Sequence, residues 1–441
     1  MKKYALLVLL LVALALSITF ALKIPLDHNP DESSHRDYIR LMVQQKGLIT
    51  FVPPKGRAPL PEAVRERLLA REGMAELPEG ALSRDEAHQP PLYYALAAVV
   101  CALSGGSLLA LRLVAIPFHL ATIGVAWRAG KDLFPQRPEL PLALAAFVAF
   151  LPTQAQLAGA VSNDATTHFF CALIVWRLGR FFAPHLPPPH RTNVGREGAL
   201  LGIFFGLGLL TKLTVLQLYP VLFVACVMAV ATKRITLRDS TGVFGAAVLV
   251  GFALAAPWLM RNQQLYGDFL AQTIYKATGP NFSPEQISVA VGWSGADYAR
   301  SVGLRSFVSF WYFLDPNLPL VPLDRFIGPA PLLLLVLALA LVPLGALYQI
   351  RKRKAFAEGE GGIVGFMALV PLCLLPFFVT FVYGVFQAQG RYFLPSLLAV
   401  GIVCTYGFAS LGKRGLAFIP AALLLAITLW QLANGGYVAS R

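Results

Sequence analysis

The sequence predicts an all-α integral membrane protein, and three observations support this fold class. Of its 441 residues, 56% are hydrophobic and 14% are charged, whereas soluble domains carry about 25% charged residues. The apolar residues form long runs, and a helix needs about 20 consecutive apolar residues to cross a bilayer. The basic residues gather between alternate runs, as the positive-inside rule predicts for cytoplasmic loops. We expect a single polytopic membrane domain over residues 1–441.

About eleven apolar runs are long enough to be transmembrane helices. They are residues 4–22, 108–127, 140–157, 165–182, 199–211, 213–231, 242–259, 327–350, 362–383, 392–411 and 415–433. The first run follows Met1–Lys3 and could instead be a signal peptide. Signal peptides carry 7–15 apolar residues, and this run is longer, so we expect a retained helix.

The charged residues predict that the N-terminus lies in the cytoplasm. The predicted cytoplasmic segments together hold 18 Lys and Arg against 6 Asp and Glu, and the rest of the chain holds 19 against 17. These segments are 1–3, 128–139, 177–198, 232–241, 351–361 and 412–414. The net charge of +14 is therefore an orientation signal, and nucleic-acid binding is not needed to explain it.

The five cysteines lie within apolar runs. They have no CxxC pairing and no set of His ligands, so we expect free, buried thiols and neither disulfides nor metal ligands.

Two long segments, 23–107 and 260–326, remain for the outer, periplasmic face. The first holds 11 of the 23 acidic residues. Its hydrophobic spacing predicts amphipathic helices over 33–43 and 61–77. The apolar stretch 92–103 is too short to span, so we expect a helix in the outer interface, with Tyr93 and Tyr94 at the headgroup level.

An acid pair, Asp31-Glu32, follows the first predicted span. Desolvation and neighbouring cations set the pKa of a carboxylate near the apolar boundary. Such a group can act as a general base toward an acceptor hydroxyl or amine. The alternative is a solvated helix N-terminus, where acidic residues favour the helix dipole. The two residues alone leave both interpretations open.

Six short motifs fall, in order, at predicted outer positions. They are Asp31-Glu32-x-x-His35-x-x-Tyr38-Ile39, His88-Gln89-Pro90-Pro91-Leu92-Tyr93-Tyr94, Ser162-Asn163-Asp164-Ala165, Leu210-Thr211-Lys212, Pro257-Trp258-x-x-Arg261-Asn262 and Gln389-Gly390-Arg391-Tyr392. In this combination the chain resembles the GT-C superfamily of membrane glycosyltransferases. It is most similar to the bacterial branch that includes lipid A aminoarabinose transferases and protein O-mannosyltransferases. The resemblance covers most of the chain.

The resemblance implies a GT-C-like bundle that acts as a glycosyltransferase of class EC 2.4. Such an enzyme takes a sugar from a polyprenyl-phosphate carrier, here undecaprenyl phosphate, typically with inversion. The reaction would occur at the periplasmic face of a bacterial inner membrane. The acceptor would be a cell-envelope glycan, a lipid such as lipopolysaccharide, or a protein.

The resemblance also implies roles for the acidic residues. By motif match Asp31 would be the catalytic base, and Glu32 would orient the acceptor or tune Asp31. Asp164 would be a second acid facing the cavity, holding the acceptor or a metal. Some relatives need a divalent ion and others do not, so the cofactor is either none or a cation such as Mg²⁺ or Mn²⁺. The residues also allow Asp164 to be a helix N-cap, and His35 to be structural.

Four cationic or ionisable residues are candidates to bind the carrier phosphate: Lys212, Arg391, Arg261 and His88. Lys212 lies among apolar residues, where a charge faces a cavity or snorkels to the interface. Arg391 offers a planar fork that matches phosphate oxygens, or it anchors a helix end. Arg261 could be an ordinary interfacial arginine, and His88 could cap the Pro-Pro turn.

Two other functions share this compartment. A transporter or flippase of lipid-linked glycans should place ionisable residues near the midplane, within repeated halves. Here the candidate charges lie at one face and no internal repeat is seen. A polymerase or ligase of lipid-linked glycans with a different base is poorly separated by sequence. No nucleotide-binding loop is present, which agrees with a lipid-borne donor.

Overall fold

A computed structural model describes residues 2–55, 60–187, 193–272, 274, 283–312 and 359–433, and every regular element within these ranges is helical. The α-helices are α1 (Lys2–Lys23), α2 (Glu32–Gln45), α3 (Glu62–Glu72), α4 (Leu92–Leu103), α5 (Leu108–Arg112), α6 (Ile116–Leu133), α7 (Leu140–Phe150), α8 (Pro152–Ala158), α9 (Asp164–Gly179), α10 (Val194–Leu209), α11 (Leu218–Ala231), α12 (Leu237–Tyr266), α13 (Pro284–Val291), α14 (Gly295–Trp311), α15 (Glu360–Gly384), α16 (Leu397–Ala409) and α17 (Ile419–Ala433). Short 3₁₀ turns lie at Asp85–His88, Arg180–Phe182, Leu213–Gln217, Gly390–Ser396 and Arg414–Phe418.

The chain is a multi-pass membrane protein by the length and composition of its helices. Seven segments of the described residues are long and apolar enough to cross a bilayer, and α7 with α8 makes an eighth if that bent pair is one span. The seven are Tyr4–Lys23, Leu108–Leu133, Leu213–Ala231, Leu237–Tyr266, Glu360–Gly384, Gly390–Ala409 and Arg414–Ala433. The all-helical prediction is therefore confirmed for these parts of the chain.

Two other predicted spans, 165–182 and 199–211, coincide with shorter helices. The helices α9 and α10 contain 16 residues each. Glycines bring α10 against α12: a Cβ added at Gly198, Gly202 or Gly206 would lie 2.6–2.7 Å from a side-chain carbon of α12. Small residues four apart allow such close packing of membrane helices. The predicted span 327–350 lies outside the described residues, as do the basic residues 351–354, so the count of eleven stays a prediction.

The predicted span 140–157 is interrupted. It consists of α7 and α8, which meet at an angle of 63°. The cause is local, because Pro152 opens α8 and Leu151 is extended with ψ 114°, as a residue before proline prefers. Broken backbone at membrane depth is tolerated where it is buried in protein. Here every residue of α8 is buried.

Residues 23–107 follow the predicted helices with two corrections. The helix predicted over 61–77 is only Glu62–Glu72 and ends at Gly73, whose φ of 71° closes it. The short helix α4 occurs as predicted, but Tyr93 and Tyr94 are fully buried. Tyr94 packs with Tyr38 of α2, and Tyr93 packs with Tyr94, because α4 is covered by α2 and not only by lipid. All five cysteines are free.

Candidate active site

Asp31 occupies the position before α2 without acting as its cap. Its φ of 56° lies in the left-handed region, and its side chain makes no capping hydrogen bond. The side chain keeps 49% of its surface accessible, although protein groups surround it. The solvated-cap alternative is therefore not supported, because the carboxylate pairs with Arg391 and not with the backbone of α2.

Four charged side chains of alternating sign, Asp31 among them, are linked to one another. Arg391 Nη2 lies 2.7 Å from Asp31 Oδ2, and Arg391 Nη1 lies 3.4 Å from Asp164 Oδ2. The other Asp164 oxygen accepts a hydrogen bond from Lys212. We call Asp31, Arg391, Asp164 and Lys212 the ion network. Lys212, Asp164 and Arg391 are largely buried, so Lys212 does not snorkel and Arg391 is not a solvated helix-end anchor.

Helix ends bring the network together. Asp164 is the first residue of α9, and its carboxylate bonds the two cations rather than capping that helix. Asn163 donates to the Thr211 carbonyl at 3.1 Å, which joins the start of α9 to the end of α10 beside Lys212. The Leu92 amide donates to the Leu210 carbonyl at 2.8 Å, so the Pro-Pro turn also lies against the end of α10.

Gly390 places Arg391. Its amide donates to Ser309 Oγ of α14 at 2.7 Å. A Cβ at Gly390 would overlap the backbone of Ser306 and Phe310, so only glycine fits this approach. Helix α14 thus positions Arg391, a member of the network.

Glu32 has different partners from its neighbour Asp31. Its carboxylate is fully buried and is bound by Arg112 through Nε at 2.8 Å and Nη2 at 2.6 Å. Arg112 also donates to the carbonyls of Ala21, Ile24 and Pro25. Glu32 further accepts from the Val161 amide at 3.1 Å. We call Glu32 and Arg112 the clamp, since the pair fixes the turn that ends in Asp31.

A second group adjoins Asp31. His35 Nδ1 is 2.7 Å from the Tyr94 hydroxyl and 3.6 Å from Glu86 Oε2. Asp31, His35 and Glu86 each offer a ligand atom, and these atoms lie within 4.8 Å of one another. Among the described residues this group suits a metal ion.

The surroundings shift the pKa values of this group. Burial alone would raise the pKa of Asp31, but Arg391, with His35 and Lys212, outweighs burial and lowers it. Burial lowers the pKa of His35, although Glu86 and Asp31 oppose this. Burial raises the pKa of Glu86 despite His35. Asp31 is therefore ionised. Glu86, in contrast, lacks enough neighbouring positive charge to offset the cost of burying its carboxylate.

The two remaining predicted phosphate ligands, His88 and Arg261, each make a hydrogen bond to a backbone carbonyl. His88 Nδ1 is 2.6 Å from the Asp85 carbonyl, as expected of a residue that caps the Pro-Pro turn, and burial lowers its pKa. Arg261 Nη2 donates to the Ile49 carbonyl at 2.7 Å, and the guanidinium lies 4.6 Å from the Trp258 ring centroid. Their phosphate-binding role stays a prediction.

Sequence reasoning missed Arg112 and Glu86. Arg112 ends the short helix α5 within a predicted span. A charged residue in an apolar run usually has a buried partner or faces a cavity, and this is the signal that could have identified Arg112. Glu86 lies two residues before His88, among other acidic residues of a polar segment, and offers no comparable signal.

Comparisons with known proteins agree with the fold. Residues 88–260 match the family model described as dolichyl-phosphate-mannose-protein mannosyltransferase. No curated protein matches the sequence significantly. ArnT from Cupriavidus metallidurans in the apo state superposes with a TM-score of 0.51 at 16% identity, over 94% of this chain and 62% of that one.

Two further solved structures are less similar. ArnT bound to undecaprenyl phosphate gives a TM-score of 0.48 at 16% identity, over 92% of this chain and 61% of that one. The Archaeoglobus fulgidus oligosaccharyltransferase tethered to an acceptor peptide gives 0.47 at 13% identity, over 100% and 56%. The chain thus spans about three fifths of these proteins. The predicted GT-C resemblance is confirmed by the family match and the fold.

Proposed function

We propose that this chain of GT-C fold is a glycosyltransferase that moves a sugar from a polyprenyl-phosphate carrier, such as undecaprenyl phosphate, to a cell-envelope acceptor. The observation that carries the proposal is the ion network, in which an accessible carboxylate, Asp31, pairs with Arg391, and Asp164 links Arg391 to Lys212. The family model that matches residues 88–260 is named for a polyprenyl-phosphate sugar donor, which supports this choice of substrate.

The network contains the parts that glycosyl transfer from a phosphate requires. The acceptor oxygen forms a bond to the anomeric carbon while the bond from that carbon to the phosphate oxygen breaks. The electron pair leaves with the phosphate, whose negative charge Arg391 and Lys212 would stabilise. Asp31 would accept the acceptor proton. Attack opposite to the leaving phosphate inverts the anomeric centre.

Arg391 is suited to change partners when the carrier binds. Its Nε has no hydrogen-bond partner and is buried, while its two terminal nitrogens hold Asp31 and Asp164. A phosphate can satisfy this fork with two parallel hydrogen bonds. Asp164 would then keep Lys212 in place rather than ligate a metal, because both its oxygens already face cations.

Glu32 would contribute by position. Both its oxygens are bound by Arg112, so we propose that it fixes the Asp31 turn rather than contacting the acceptor. The outer segment 23–107 would accordingly supply both the base and its support, and the segment 260–326 would position Arg391 through α14.

The proposal also includes an orientation. Asp164 opens α9 and Arg177 lies near its other end, so the network and Arg177 lie at opposite ends of that helix. With Arg177 on the cytoplasmic side, the site lies at the periplasmic face of a bacterial inner membrane and the N-terminus lies in the cytoplasm.

The test is transfer by the purified protein in nanodiscs, with a panel of radiolabelled undecaprenyl-phosphate sugars and envelope extract as acceptor source. We expect label to move from the carrier to a new product. Asp31→Asn should reduce the rate about 10²–10⁴-fold, the usual contribution of a general base, with unchanged thermal stability. Glu62→Gln is the matched control, since its side chain is 71% exposed on α3, and it should retain full activity.

The outcomes separate the competing functions. Full transfer by Asp31→Asn would exclude it as the base and favour a polymerase or ligase with another base. Saturable binding of the carrier without transfer, together with movement of the lipid between leaflets, would favour a flippase.

A further inference from the structure

We propose that the short helix α8 is a positioning element for the ion network. All seven of its residues are buried, and it follows the 63° bend after α7, so it crosses the protein interior in a direction different from that of α7. Thr153 sets the position of Arg391 through α14. Gln156 sets the position of Asp31 through the turn that precedes α2.

Helix α8 carries three polar side chains at buried positions, Thr153, Gln154 and Gln156. A buried polar group costs free energy unless it is hydrogen-bonded. Gln156 Oε1 has no hydrogen-bond partner among the residues that the structure describes. A partly satisfied set of buried polar groups is less stable than an apolar core, so stability alone does not explain why these residues are polar.

Thr153 contacts the support of Arg391. Its hydroxyl donates to the Ser309 carbonyl of α14 at 2.9 Å. The hydroxyl oxygen of the same serine accepts a hydrogen bond from the Gly390 amide at 2.7 Å. Because Gly390 immediately precedes Arg391, a displacement of α14 relative to α8 also displaces the guanidinium. Two hydrogen bonds therefore connect α8 to the backbone that carries Arg391.

Gln156 contacts the turn that contains Asp31. Gln156 Nε2 donates to Asn29 Oδ1, and Asn29 Nδ2 donates to Glu32 Oε2 at 3.1 Å. Asn29 and Glu32 lie on either side of Asp31 in the sequence. The clamp thus fixes this turn from α5, and Gln156 fixes it from α8.

Gln154 connects α8 to the helix that begins with Asp164. Gln154 Oε1 lies 2.6 Å from His168 Nδ1, and His168 lies one helical turn after Asp164 in α9. Gln154 Nε2 lies 3.5 Å from His119 Nδ1 of α6. Helix α8 therefore contacts the supports of three of the four members of the ion network.

The first experiment measures placement without any sugar donor. Amide hydrogen exchange of the full-length protein in nanodiscs is followed by mass spectrometry of peptides that cover 27–33 and 389–393. Thr153→Val keeps the shape of the side chain but removes its hydroxyl. It should speed exchange in 389–393 about threefold to tenfold, as expected for one lost hydrogen bond, and leave 27–33 unchanged. Gln156→Met should have the opposite pattern.

The second experiment, which rests on the proposed function, separates binding of the carrier from the rate of transfer. Gln156→Met displaces Asp31, so kcat should fall up to about 100-fold, as misplaced reacting groups cause, with unchanged affinity for undecaprenyl phosphate. Thr153→Val displaces Arg391, so this affinity should fall about threefold to tenfold. Thr153→Ser retains the hydroxyl and should recover most of that loss.

Thr405→Val is the matched control. Thr405 is a buried threonine whose hydroxyl bonds a carbonyl of its own helix, α16, so this variant loses a hydroxyl without breaking a contact to the network. Exchange in both peptides and both kinetic parameters should stay at wild-type values. If Gln156→Met fails to fold, Asn29→Leu breaks the same link outside α8 and should speed exchange in 27–33 alone.

Equally faster exchange in both peptides for either variant would show that α8 supports only the fold, and this would overturn the proposal. Unchanged exchange in both peptides would overturn it too, as would identical effects of Thr153→Val and Gln156→Met on kcat and carrier affinity. Failure of the wild type to transfer label would instead contradict the proposed function, and the exchange pattern would still decide whether α8 places Asp31 and Arg391.

Discussion

The clamp and the ion network place adjacent carboxylates in opposite environments. Glu32 is buried, and Arg112 binds both its oxygens. Asp31 is half accessible, and only one Arg391 nitrogen binds it. Because both Glu32 oxygens are paired with Arg112, the clamp can only stabilise the turn that ends in Asp31. The network keeps spare capacity at Arg391 Nε and at the accessible face of Asp31. The difference indicates that stability and chemistry are divided between neighbouring residues.

Breaking the clamp should have the largest effect on folding. In Arg112→Met, Glu32 is left as an uncompensated buried charge, and the free energy of unfolding should fall by about 3–5 kcal/mol. Thermal or denaturant unfolding in nanodiscs measures this. Arg65→Met, at a side chain that is 55% exposed, should change stability by less than about 0.5 kcal/mol. An unchanged stability of Arg112→Met would show that the clamp does not hold the Asp31 turn.

Arg391→Met should act mainly on binding. The charge-assisted hydrogen bonds of a guanidinium contribute about 1.5–3 kcal/mol, so affinity for undecaprenyl phosphate should fall about ten- to hundredfold. Arg391→Lys keeps the positive charge but loses the planar guanidinium, so its affinity for the carrier should lie between those of the wild type and Arg391→Met. Carrier binding to nanodisc protein, measured by competition with a labelled carrier, tests this. Equal affinity of wild type and Arg391→Met would place the phosphate elsewhere, with Arg261 and His88 next in order.

Gly390→Ala tests how firmly α14 positions the network. The added methyl group overlaps the backbone of Ser306 and Phe310, and such overpacking costs about 1–3 kcal/mol. We expect lower carrier affinity together with this loss of stability. Gly365→Ala is the control, since it lies in helix α15 with open space beside it, and it should be neutral or slightly stabilising. Normal affinity in Gly390→Ala would mean that Arg391 is placed by its own ion pairs alone.

The sequence predicted the local features of the fold well. Apolar runs set the spans, and α2 and α4 lie close to their predicted limits, because these signals depend on neighbouring residues. Pro152 could have indicated the break between α7 and α8, but it lies inside an apolar run that is continuous in the sequence. The burial of Tyr93 and Tyr94 was missed because it depends on contact with α2, distant in sequence.

The candidate site was predictable as a set of residues and not as a set of contacts. Motif order selected Asp31, Asp164, Lys212 and Arg391, which the fold brings together. Glu32 and Arg112 are 80 residues apart, and no sequence spacing predicts that two such distant residues pair. The separate roles of Asp31 and Glu32 follow from those partners.

The backbone conformation of Asp31 adds a last consequence. At φ 56° a side chain crowds the following carbonyl, and glycine would adopt the same turn more easily. Aspartate and asparagine are the residues that tolerate this region best after glycine. An acid at this position therefore lowers the stability of the fold relative to glycine. Such backbone strain is typical of functional sites, where activity is favoured over stability.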